Sequence, residues 1–151
     1  HKILLNFDVV GGTYAHIEIR QLNSGTAQTT GVYSWALNRV TSHNQGHSAT
    51  ASEGDNKIRI SGDYFRGDNN AHHSVMIDIA NLLKSSDNYD YLQITGMSAQ
   101  VNQDGDQRLH HTTFMGNTHS NSAINNGRTG LQFIASTNTI TGNYITYGIK
   151  G

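Results

Sequence analysis

The chain of 151 residues carries 10 Lys and Arg against 11 Asp and Glu, only 14% of its residues are charged, and it has neither cysteine nor proline. This excludes a disulfide framework, thiol chemistry and cysteine-ligated zinc, and the basic residues are scattered, with no stripe of the kind a nucleic-acid binder needs. At this length one domain, 1–151, buries about 68–70% of its unfolded surface, and no apolar run approaches the roughly 18–20 residues of a membrane span, so neither nucleic-acid binding nor membrane insertion is expected.

Strand-like segments then recur at short spacing. Ile3 to Val10 runs into Gly11-Gly12, which reads as a hairpin turn. Tyr14 to Arg20 alternates, with Ala15, Ile17 and Ile19 on one face and His16, Glu18 and Arg20 on the other. Asn23-Ser24-Gly25 breaks that strand, and Gly31 to Val40 resumes one, in which Tyr33, Trp35 and Leu37 share a face that reads as core. Thr41 to Asn56 reads as a long polar loop, and Lys57 to Asp63 as a short strand carrying Ile58 and Ile60. Ser74 to Ala80 alternates with Val75, Ile77 and Ile79 inward, and Asn81 to Lys84 adds one helical turn. Tyr91 to Val101 is a long strand expected to bulge or bend at Gly96. Asp104-Gly105 turns the chain into Arg108 to Met115. Leu131, Phe133 and Ala135, then Ile145, Tyr147 and Ile149, form the inward faces of a closing β-hairpin.

Eight or nine strands without a long amphipathic helix give an all-β fold, an antiparallel two-sheet β-sandwich of jelly-roll type. The expected core holds Val75, Ile77, Ile79, Leu92, Ile94, Leu131, Phe133, Ile145, Tyr147 and Ile149. Without proline, strand edges need charges, bulges or partner subunits to guard them, which points to a closed oligomer, expected as a homotrimer.

Nine histidines raise the question of metal. His43 and His47 are four apart but in a Gly-containing segment, and the adjacent pairs His72-His73 and His110-His111 fall on opposite faces of a strand. A zinc site needs three or four converging ligands. Asp104-Gly105-Asp106 and Asp87-Asn88-Tyr89-Asp90 offer oxygens in turns but lack the bidentate Glu and length of a calcium loop. Glu53 with Asp55, or Asp63 with Asp68, are paired carboxyls, the residue types a glycosidase uses, but nothing places either pair across a cleft. No nucleophile elbow, P-loop or dinucleotide fingerprint is present. No cofactor, metal or enzymatic activity is expected.

What remains is surface. Asn, Ser, Thr, Gln, Gly, His and Tyr suit neutral, hydroxyl-bearing ligands, and turns of any β-sandwich need many of the same residues. Candidate contact residues are Tyr64, Arg66, Asp68, Asn69 and Asn70 in one polar segment and His43, Asn44 and His47 in another, because recognition residues concentrate on loops held by a rigid scaffold.

Two stretches also resemble a family. Ser74 to Leu82 followed by Tyr91-Leu92-Gln93-Ile94, and Gly130 to Lys150 with its Tyr-Gly-Ile-Lys ending, are similar to jelly-roll modules of tailed-bacteriophage virion proteins, among them tail fibres and capsid-decorating proteins. The likeness is specific at 74–94 and 130–150 and loose elsewhere; His73 or Ser74 stands where the pattern prefers an aromatic. It implies a non-enzymatic virion component, assembled in the host cytoplasm and exposed outside it. Its partner would be a host surface glycan, as in attachment, or other virion subunits, as in a decorating (cement) protein. A free-standing lectin or carbohydrate-binding module is the third reading. A first residue that is His points to a processed product or a fragment of a larger chain.

Overall fold

A computed structural model describes residues 1–11, 15–42, 46–61, 73–82, 91–102, 108–118, 127–137 and 139–148, with the backbone alone at 100–102, 108 and 109. The strands are β1 (Lys2–Val10), β2 (Ile17–Asn23), β3 (Thr26–Ala27), β4 (Tyr33–Thr41), β5 (His47–Asp55), β6 (Ile58–Arg59), β7 (His73–Ala80), β8 (Gln93–Asn102), β9 (Arg108–Thr118), β10 (Arg128–Ala135) and β11 (Thr139–Tyr147). No helix occurs among the described residues; Asn81, expected to open a helical turn, has φ of 59°.

Seven strands form one antiparallel sheet in the order β11-β1-β7-β8-β9-β4-β5. A smaller antiparallel sheet is built on β2, with β10 along one edge and the short β3 and β6 sharing the other. The two sheets face one another across a common core, which makes the fold the expected all-β antiparallel sandwich. Ile3, Phe7, Val9, Tyr33, Trp35, Leu37, Val75, Ile77, Ile79, Ile94 and Phe114 of the large sheet pack with Ile17, Ile19 and Ile58 of the small one. Each such side chain contributes about 1.5–3 kcal/mol by leaving water. Polar bonds stitch the layers: the Tyr33 hydroxyl accepts from Gln21 N–H (2.9 Å) and donates to the Gln28 carbonyl (3.1 Å), and Ser98 Oγ donates to the Ile60 carbonyl (3.3 Å).

Alternation predicts the interior well where a strand has one wet face. Val75, Ile77, Ile79, Leu92, Ile94 and Trp35 are buried, and Ala15, Ile17 and Ile19 are fully so. Asn23-Ser24-Gly25 proves to be a tight hairpin: Asn23 pairs with Thr26, and Ser24 and Gly25 both have positive φ (48° and 81°), the two-residue turn that matches strand twist.

Connectivity departs from the sequence expectations in several places. There is no closing hairpin: β10 pairs with β2 and β11 with β1, so the two strands belong to different sheets. Either topology asks for the same alternation, which is why the pattern did not distinguish them. Register with β1 (Leu5 opposite Tyr144, Leu4 opposite Ile145) turns Ile145 and Tyr147 outward, and both are about half exposed. A shift of one residue exchanges the faces of a strand. Leu131 and Phe133 are only partly buried against the core, and Ile149 lies outside the described residues. The glycines after β1 do not make a β1–β2 hairpin, since β1 lies between β11 and β7. Within the polar segment 41–56, His47–Asp55 is a full strand. Gly96 sits in unbroken register with both neighbours; a Cβ there would strike the Met76 carbonyl oxygen and the Phe114 ring, so the glycine makes room for an aromatic.

Candidate functional site

One face of the large sheet meets the small sheet; the other is open among the described residues. Side chains on the open face follow from the register, in rows that run across the strands. One row is Ile145, Leu4, Met76, Met97 and Thr113. The next toward the far end of β11 is Tyr147, Lys2, Asp78, Thr95, Met115, Ala36 and Ala51. The first of these rows is thus apolar from β11 to β8, while the second carries a Lys2–Asp78 ion pair (3.4 Å) that is half exposed and of small energetic consequence.

On the β8-β9-β4-β5 side the face hollows into a trough, formed by cavities of about 410 and 330 Å³ that share Ala36 and Met115. Small side chains make the floor: Ala36 and Ala49 leave space that larger residues would fill. Asn38, Gln93, Thr95, Thr113, Asn117 and Ser34 supply amides and hydroxyls along the walls. Met115, 61% exposed, stands in the middle as an adaptable apolar contact. Among the described residues the lining contains no Asp, Glu, Lys or Arg, and His47 is its one titratable side chain.

That arrangement bears on chemistry. A hydrolytic site needs paired carboxyls or a nucleophile with an adjacent base, and the described lining residues include no carboxyl. The trough can offer paired hydrogen bonds from amides together with an apolar contact. No group of three His, Asp or Glu converges among the described residues. His111 and His47 both face the open side, but Val40 lies between them in the row. Two strand spacings separate them by about 9–10 Å, and two histidines alone fall short of the three or four ligands of a zinc site.

Of the residues selected from sequence, His47 is placed: it opens β5 and lines the trough. It lies on a strand, not in a loop. Tyr64, Arg66, Asp68, Asn69, Asn70, His43 and Asn44 lie outside the described residues. Their segments join the large sheet at one end, where β7 begins and where β4 gives way to β5. The strand residues Asn38, Gln93, Thr95 and Asn117 were not selected. The outward positions of β4, β8 and β9 carry uncharged polar groups where a solvated face normally carries charges, and that was the available signal. His110 and His111 do divide between the faces, His110 buried and His111 exposed. His73, also buried, leans its ring against Phe7 at 5.6 Å.

Among titratable groups, the Tyr33 phenol is raised above its ordinary value near 10, because burial disfavours the phenolate more than the Gln21 N–H bond and Arg20 favour it. Tyr33 ties β4 to the small sheet and is structural. No family model, no curated protein and no solved structure matches the chain.

Proposed function

We propose that the protein is a non-catalytic recognition module of a bacteriophage virion, attaching to a neutral glycan of the host-cell surface through the trough on the open face of its large sheet. The observation that carries the binding half is the lining of that trough: amides, hydroxyls and an exposed methionine, with no charged side chain among the described residues. Sugar hydroxyls are recognised by such paired donors and acceptors, and an uncharged wall costs no ion desolvation. Support for the virion half is the resemblance of residues 74–94 and 130–150 to phage modules. The test is a glycan array with the intact chain, repeated with the double variant Asn38→Ala, Asn117→Ala and with Tyr64→Ala, Arg66→Ala. Binding lost in the first pair and kept in the second places the ligand in the trough; the reverse places it on the polar segment that contains Tyr64. Absence of any glycan or host-cell binding would refute attachment. The reading favoured then is a capsid- or tail-decorating subunit, for which the apolar row Ile145, Leu4, Met76, Met97 is the motivating surface.

A further inference from the structure

Among the described residues the last strand of the large sheet has one neighbour. β11 is a nine-residue edge strand paired through β1, and no described strand covers its second edge. Its sequence, Thr-Ile-Thr-Gly-Asn-Tyr-Ile-Thr-Tyr, has no charge, no proline and many residues of high strand propensity. Natural sheets blunt such edges with charges, bulges or a covering segment. Among the described residues β11 has none of these, and its register with β1 is regular from end to end.

Beside this edge the sandwich gapes. A cleft of about 170 Å³ opens between the sheets, lined by Leu5, Phe133, Ile140, Gly142 and Tyr144. Leu5, Phe133 and Ile140 belong to the core yet are only partly buried, and Tyr144 stands at the rim 70% exposed.

We infer that β11 pairs antiparallel with β11 of a second copy, making a two-fold dimer with one continuous sheet through both subunits. The occupant follows from charge and shape. In an isologous contact a patch meets itself, so a strand without charge can self-pair where a charged one cannot. The other edge strand, β5, contains Glu53 and Asp55 and a register shift, and is a poor complement. With the axis at Asn143, the middle of the strand, Tyr144 falls opposite the partner's Gly142 and Thr141 opposite the partner's Ile145. Each Tyr144 then lies over a glycine at the mouth of the other copy's cleft, as Phe114 lies over Gly96 inside one subunit. The cleft is closed by the same contact that caps the edge.

The inference is independent of any glycan and is tested without one. The chain has no cysteine, so Asn143→Cys introduces a single thiol. Directly opposed residues of an antiparallel pair have Cα atoms about 4.5–5.5 Å apart, within the span of a disulfide. Mild oxidation is expected to give a covalent dimer, while Ala49→Cys on β5 stays uncrosslinked. Light scattering at micromolar concentration is expected to show a dimer for the parent and a monomer for Thr141→Lys, with unchanged circular dichroism. A monomeric parent, a trimer, or equal crosslinking at positions 49 and 143 would each overturn the pairing.

Discussion

The two edges of the large sheet are both nine-residue strands, yet they are defended in opposite ways. β5 is guarded: its sequence holds two Ala and two Ser, with Glu53 and Asp55 near one end, and its register against β4 shifts between Tyr33 and Trp35. Gly54, with φ of 70°, bends the strand where the shift occurs, and Asp55 anchors its end. β11 has the opposite character, regular and rich in Thr, Ile and Tyr. A sheet with one guarded and one open edge can grow in one direction and stop. The lack of proline, which from sequence pointed to oligomerisation at edges in general, leaves β11 and not β5 without a guard among the described residues.

The sharpest way to break this comparison is to place a side chain on the glycine of each edge. A Cβ on Gly142 would strike the Asn6 carbonyl oxygen and approach Phe7 Cα at 2.5 Å, both on the backbone of β1, which cannot turn aside. Gly142→Ala should cost about 3 kcal/mol, the upper range for overpacking, and loosen β11 from the sheet. Gly54 has nothing within 4 Å of its added Cβ, so Gly54→Ala carries only the strain of a left-handed conformation, about 1 kcal/mol. Urea unfolding of both variants measures the difference. Equal losses would mean that β11 is not held by the close β1 contact.

The anchor of the guarded edge gives the next effect. Asp55 Oδ2 accepts from Trp35 Nε1 (2.9 Å) and Oδ1 accepts from the Asn56 N–H (2.7 Å). Asp55→Ala leaves the indole N–H of a buried tryptophan without its acceptor, at a cost of about 2 kcal/mol. Trp35 is the sole tryptophan of the chain, so its emission reads the change directly. A shifted folded-state spectrum with a lowered urea midpoint is expected. An unchanged midpoint would show that β5 does not depend on this anchor.

The same contrast explains what was legible in the sequence. Val75, Ile77 and Ile79 announce a strand because one face is buried and the other wet, and Tyr33, Trp35 and Leu37 do likewise. β5 carries no such signal: an edge strand beyond the cover of the small sheet has no apolar face to alternate, so its Ala, Ser and Thr read as loop. β11 shows alternation, but the pattern is silent on partner and parity. Whether Ile145 or Tyr144 faces inward is decided by register with β1, a contact more than 130 positions away in sequence. The candidate site was missed for a related reason. Asn38, Gln93 and Asn117 come from three strands, and only the order β8-β9-β4 assembles them.

The smallest effect concerns how the guarded edge is fixed to the rest of the molecule. Tyr33 opposes Asp55 at the register shift, and its hydroxyl reaches Gln21 and Gln28 of the small sheet's side. Tyr33→Phe removes the acceptor for a buried Gln21 N–H and should cost about 1–2 kcal/mol at neutral pH. Its pH dependence separates this bond from packing. Burial raises the folded-state value of the phenol above its ordinary value near 10. The unfolded chain therefore loses this proton first as pH rises, and the folded state then binds more protons than the unfolded one. Stability from this group is complete below about pH 10 and falls as pH climbs from there through the raised folded value, by up to about 1.4 kcal/mol per pH unit. Parent and variant differ only in this hydroxyl, so the difference between the two unfolding curves isolates Tyr33. Parent and Tyr33→Phe stabilities should be separated by a constant amount up to pH 10 and converge above it. A gap that stayed constant above pH 10 would show that the phenol ionises as easily folded as unfolded, and that the guarded edge is not tied to the small sheet through this hydroxyl.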